Sequence, residues 1–304
     1  MAKKDQKYYP VENRVLFEAA TGTALQICEV NKGLSALNRR LYRQNRVYRV
    51  KLDLIGEQPR KVDVFRLKNS FMLHQGYKLA MEEWEKSYQD AKDVTRESSV
   101  GRWRDFRIDT TAFLGDSKLN PLQLAPQGPK VLSGPAIIDE WRTSLSYTTA
   151  GVAKDFGLRE DSNTYGIIHE WAKKGNVQPS PQTDTGAAAY VDLTADLDDQ
   201  EVENLQQDGN LPPYDADNGM PDAMLEYVGT IYTDSDGNSK RSTGFFDAPL
   251  GAIYLWGNGS NVANIYQADD PTTQTYMFNV VAQKGDYKGV AAHEYVDVDS
   301  LELE

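Results

Sequence analysis

The sequence predicts a mainly β protein: a sandwich of short strands with one long amphipathic helix and a basic N-terminal arm. Three observations predict it. Segments alternating apolar and charged residues with period two recur, first at Val47–Leu54 and again at Lys61–Lys68. A window at roughly 70–97 instead spaces its apolar residues by three and four. Short segments are separated by Gly, Pro and Asp-Gly breaks, as a β protein with many turns requires.

The elements follow in order. Residues 1–45 read as an arm, because Val15, Leu16, Phe17, Leu25 and Ile27 are interrupted by Gly22 and Gly33. The two alternating segments after it, joined by Gly56-Glu-Gln-Pro59, read as an antiparallel pair with one buried face. In the helix, Leu73, Tyr77, Ala80, Trp84, Tyr88 and Ala91 form one apolar stripe with Ser70 as N-cap, and core packing explains that stripe. Arg102–Ile108 alternates basic and apolar residues, and Ile137–Tyr147 reads as a strand. Residues 115–130, with three prolines and two glycines, read as a loop. Residues 164–174 fit either a helix or a strand. The Pro- and Asp-rich stretch 175–220 reads as an excursion from the body. Met224–Tyr232 and Ser239–Phe246 flank Asp236-Gly237 as a hairpin, followed by strands at Ala252–Trp256, Tyr276–Val281 and about 290–298.

Charge is distributed unevenly. The net charge is −12, yet residues 1–68 hold 15 Lys/Arg against 7 Asp/Glu, and residues 175–239 hold 14 acids with no Lys or Arg. Such a chain has a basic face and a strongly acidic face. Arg39, Arg40, Arg43 and Arg46, with Tyr42 among them, are candidates to face nucleic acid or lipid headgroups. A helix C-terminus that sets cations against its own dipole explains the same residues without a ligand. The single cysteine, Cys28, excludes an intrachain disulfide and fits folding in a reducing cytosol. No apolar run has the length of a signal peptide or a membrane span.

Motifs for catalysis do not stand out. His74, His169 and His293 lack close metal-ligand spacing, and no HExxH, GxSxG, Walker A or strand-following GxGxxG pattern occurs. The expectation is therefore a protein that is not an enzyme and needs no cofactor. The one candidate metal loop is for Ca2+: Asp215, Asp217, Asp222 and Glu226 are oxygen-rich, with Glu226 eleven residues after Asp215. Gly219 lies one position early for an EF-hand.

Three strand-and-turn patterns carry a resemblance: Gly101–Asp109, Asp247–Leu255 and Gly285–Val290. With the basic arm and the helix after an early pair of strands, the sequence resembles jelly-roll major capsid proteins of tailless icosahedral bacteriophages. The resemblance covers fewer than a tenth of the residues. It implies a viral jelly-roll sandwich, expected as a double jelly roll of two sandwiches side by side, although a single jelly roll with large insertions remains open. The expected domains are a basic N-terminal arm (1–45), a first β-sandwich with the inserted helix (46–150) and a second β-sandwich with the acidic insertion (151–304). The function implied is a structural subunit of a virion that self-assembles into homotrimers, or pseudo-hexamers, of an icosahedral capsid. Its partners would be neighbouring capsomers, penton or minor capsid proteins, and an internal membrane or packaged genome reached through the arm. The protein would be synthesised in the host cytoplasm. The competing expectation is a carbohydrate-binding or carbohydrate-active β-sandwich such as a phage spike component.

Overall fold

A computed structural model describes residues 11–20, 25–55, 60–95, 103–113, 116–125, 128–131, 142–147, 153–175, 224–233, 239–257 and 275–296. Strands β1 (Arg14–Ala20) and β2 (Gln26–Glu29) precede helix α1 (Val30–Asn38). Strands β3 (Arg46–Ile55) and β4 (Arg60–Leu67) lead into helix α2 (Phe71–Thr95). Short strands follow: β5 (Ser117–Lys118), β6 (Pro121–Ala125), β7 (Gly128–Val131), β8 (Leu145–Tyr147), β9 (Ala153–Gly157) and β10 (Thr164–Gly166). Helix α3 (Ile167–Gly175) is next in order, then β11 (Leu225–Thr233), β12 (Ser239–Lys240), β13 (Phe246–Pro249) and β14 (Ala252–Gly257). The last elements are β15 (Thr275–Ala282), β16 (Lys284–Gly285), β17 (Gly289–Val290) and β18 (Ala292–Glu294).

Two large sheets face each other. One has the order β13-β3-β15-β1-β6-β7, with β18 also paired to β3; the other has the order β12-β11-β4-β14-β2-β5. Val15, Phe17, Val50, Leu52, Phe278 and Val280 of the first sheet meet Cys28, Val62, Val64, Ile231, Ile253 and Leu255 of the second in one buried core. A second core lies on the outer side of the second sheet. There Ile27, Leu67 and Tyr254 are covered by Leu73, Tyr77 and Met81 of α2 together with Phe106, Ile108, Phe156, Ile167 and Ile168. The molecule is thus a β-sandwich with a third layer built from the long β4-to-β11 connection. That connection starts and ends at one point, where the Lys68 N–H donates to the Met224 carbonyl at 2.6 Å.

Several expectations change. From Val11 onward the described part of the expected arm belongs to the body. β1 is hydrogen-bonded between β15 and β6, β2 pairs with β14, and Gly33 of α1 is a close approach: a Cβ there would sit 2.7 Å from Val15 Cγ1. The glycine that reads as a break in sequence is where the helix presses onto the strand. β3 and β4 exist with nearly the expected bounds, but they are not paired with each other. Each turns its apolar face to the same core from opposite sheets, with β3 bonded to β15 and β13 and β4 bonded to β11 and β14. Alternation specifies a buried face and leaves the neighbour open. The expected loop 115–130 contains β5, β6 and β7; Pro121 opens β6 and Pro129 sits in the terminal strand β7, the positions a sheet allows. Residues 103–108 form no strand; Phe106 and Ile108 are buried in the outer core.

The two sandwiches expected over 46–150 and 151–304 are not what the described residues form. Strands from both halves of the chain alternate within each large sheet. The helix stands close to its expected bounds, and the ambiguous 164–174 segment splits into β10 and α3. The β11–β12 hairpin pairs Tyr232 with Lys240 across the Asp-Gly turn. The acidic insertion beyond Gly175, the turns at 234–238 and 258–261, and residues 137–141 of the expected strand lie outside the described residues.

Candidate functional site

The four candidate arginines lie where α1 hands over to β3. The helix ends in Arg39, whose backbone is left-handed (φ 50, ψ 41), and the Arg40 N–H returns to the Ser35 carbonyl at 3.2 Å. Ser35 Oγ also accepts the Tyr42 N–H at 2.8 Å, fixing the turn. Cations just beyond a helix C-terminus suit its dipole. The second wall of the site comes from far along the chain, from the β16–β17 hairpin. Tyr42 Oη donates to the Lys288 carbonyl at 2.9 Å, and the Arg43 N–H donates to Tyr287 Oη at 3.1 Å. Lys288 Nζ donates to the Leu41 carbonyl, and the Tyr48 hydroxyl donates to the Arg43 carbonyl.

Tyr287 is the hub. The Arg46 guanidinium lies 3.9 Å from its ring centroid and Lys288 Nζ 5.2 Å, while Tyr42 and Tyr48 meet it edge-on at 6.0 and 6.3 Å. Arg46 is ion-paired with Glu294. Arg43 and Arg39 are exposed, and Arg40 is half-buried. Burial, then the positive charges of Arg40, Arg43 and Arg46, lower the Lys288 pKa, with Asp105 acting in the opposite direction. The structure therefore brings Arg40, Arg43 and Arg46 together with a fourth cation that sequence reasoning missed. The Gly285–Val290 turn was visible in sequence, but nothing local ties it to a segment some 245 residues earlier.

Beneath this patch sits Asp105. It accepts the Gln44 N–H at 3.1 Å and lies 3.6 Å from Arg107, with its side chain only 4% exposed. Burial raises its pKa to about 6 despite the attraction of Arg107. A second, half-buried charge cluster lies at the seam between β2, β5 and the segment after Ile108. Lys118 Nζ is 2.9 Å from both Glu29 Oε1 and Asp109 Oδ1, and Thr110 Oγ1 donates to Glu29 at 2.9 Å. Burial opposes ionisation of both carboxyls, but the Lys118 charge outweighs it and their pKa values fall.

Of the candidate calcium ligands, Glu226 is ion-paired with Arg66 of the neighbouring strand at 3.0 Å. Asp215, Asp217 and Asp222 lie outside the described residues. Another group, Glu160, His169 and Glu170, brings one ligand atom from each residue within 4.8 Å of the others. No helix among the described residues is long and apolar enough to cross a membrane.

The chain matches no protein-family model, no curated protein and no solved structure.

Proposed function

We propose that this chain is a structural subunit of an icosahedral virus shell, built on a single jelly roll. The observation that carries the reading is the nesting of strand pairs. Taking β1, β2, β3, β4, β11, β13, β14 and β15 as strands one to eight, the first pairs with the last (β1–β15), the second with the seventh (β2–β14), the third with the sixth (β3–β13) and the fourth with the fifth (β4–β11). Every pair is antiparallel, and the eight divide between two facing four-stranded sets, the first, third, sixth and eighth in one and the second, fourth, fifth and seventh in the other, the arrangement expected of a jelly roll. Because the fold hosts many functions, surface features supply the rest of the argument. Large aromatics are exposed at Phe71, Trp103, Tyr227, Tyr232, Phe245 and Trp256, residue types that anchor subunit contacts. The acidic stretch 175–239 and the basic patch offer opposite charges to neighbouring copies. One roll per chain replaces the pseudo-hexameric trimer of double rolls as the assembly rule, so capsomer size becomes a measured quantity. Electron microscopy and light scattering of the purified chain across ionic strength test the reading. Closed particles or uniform capsomers are expected; a chain that stays monomeric at every salt and micromolar concentration overturns it.

One observation favours a carbohydrate-binding surface as the second reading. On the outer face of β4, β11 and β14, exposed Tyr227 and Trp256 flank Asp63, which accepts the Thr230 hydroxyl. Specific glycan binding lost in Trp256→Ala, by a chain that forms no particles, selects it.

A further inference from the structure

The patch formed by the α1–β3 turn and the β16–β17 hairpin has features that point to its partner. Cations from two distant segments converge on Tyr287: the Arg46 guanidinium lies 3.9 Å and Lys288 Nζ 5.2 Å from its ring centroid, and the Arg43 N–H donates to its hydroxyl at 3.1 Å, with Arg40 on the same turn. Folding brings like charges together here in a chain whose net charge is −12. Among the described residues, Glu294 is committed to Arg46 and Asp105 is buried beneath the patch. Arg43 is exposed, with no ion pair among the described residues.

We infer that this patch, with Arg43 and Lys288 as its central contacts, is a sequence-independent seat for the phosphodiester backbone of a nucleic acid. Backbone contact follows from the state of the aromatic hub. Tyr287 already carries Arg46 against its ring and packs edge-on with Tyr42 and Tyr48, so its ring buttresses cations and side chains of the patch itself. A phosphate chain favours guanidinium and ammonium groups and releases counterions on binding. A lipid surface is the poorer fit. Peripheral membrane binding draws on exposed apolar side chains beside the cations, and none of the large exposed hydrophobics lies in 39–46 or 283–294. Val11, whose Cγ2 would lie 2.3 Å from a Cβ built on Gly289, places the start of the described chain at the patch edge.

This inference adds a partner to the shell reading, and the two are measured separately. Fluorescence anisotropy of the full chain with two labelled single-stranded oligonucleotides of unrelated sequence should give similar affinities that fall with salt. The double variant Arg43→Gln, Lys288→Gln should weaken both about tenfold and flatten the log K against log salt slope by about 1.4, the share of two phosphate contacts. Arg43→Gln alone, at an exposed side chain, should give about half that slope change and guards against a folding defect in the double variant. Lys86→Gln, on the far face of α2, should change nothing. Unchanged affinity and slope in both patch variants overturn the inference, as does binding to anionic vesicles without binding to oligonucleotide. Wild-type chain that binds oligonucleotide yet forms no particles removes the shell reading and keeps this one. Particles that carry nucleic acid equally well in wild type and double variant do the reverse.

Discussion

At the scale of single residues, two buried carboxyl environments respond to pH with opposite sign. Asp105 has a folded pKa of about 6, raised by burial, so between its ordinary value and pH 6 the folded chain holds the proton more tightly than the unfolded one. Its contribution to stability is therefore greatest in acid and is lost as pH rises through about 6. Asp105→Asn, which keeps an acceptor for the Gln44 N–H, should raise the melting temperature above pH 6.5 by an amount that fades below pH 4. The change is worth up to about 3 kcal/mol if the whole shift is realised. Thermal melts from pH 4 to 8 check this, and a pH-independent difference refutes it. Glu29 and Asp109 behave the other way. Their folded pKa values lie below the usual carboxylate range, so their stabilisation is present above it and is lost as pH falls through the folded values. Lys118→Met leaves both carboxylates in the half-exposed seam without their cation, and should cost about 1–2 kcal/mol at pH 7 by chemical denaturation. Restored stability in the triple change with Glu29→Gln and Asp109→Asn would show that charge, rather than packing, is responsible.

At the scale of elements, α2 shows how far a periodic pattern carries. The stripe predicted its length and its inward face, and Leu73, Tyr77, Ala80 and Met81 are buried as that face requires. The pattern did not reveal where the stripe leaves the core. Trp84 and Tyr88 are half-buried, and the Arg104 guanidinium lies 4.9 Å from the Trp84 ring and 3.7 Å from the Tyr88 ring. Tyr77, fully buried against Phe106 and Tyr295, should cost about 3–5 kcal/mol as Tyr77→Ala. Trp84→Ala should cost roughly half as much, because solvent already reaches it. Equal losses in urea titrations would mean that the outer core extends further along the helix. Strands β3 and β4 teach the complementary lesson. Their alternation was legible residue by residue. Yet a four-residue connection can fold a hairpin or cross between sheets, and the residues that decide it are Phe278 and Val280 on one side and Ile231 and Ile253 on the other. In the same way Val15, Phe17 and Ala19 of β1 alternated in plain view, but the glycines around them drew the reading toward an arm.

At the scale of the whole molecule, a mainly β sandwich was readable because buried faces are encoded locally. The nesting of strand pairs was not, since it depends on partners separated by most of the chain. The basic patch shares that property: its arginines were legible as a cluster, whereas Lys288 joins them only once β15 has carried the chain back to β1. Topologies with such distant partners fold slowly, in roughly milliseconds to seconds. Stopped-flow refolding should show no phase faster than that range with the fluorescence of the core. The central place of β15 in its sheet, between β1 and β3, also matters while the chain is being made. Until residue 282 has left the ribosome, two strands present open hydrogen-bonding edges and apolar faces with nothing to close them, as exposed edges do in aggregation. A nascent chain is thus unfinished until β15 has emerged, and expression of residues 1–270 should yield more insoluble or chaperone-bound material than expression of residues 1–304.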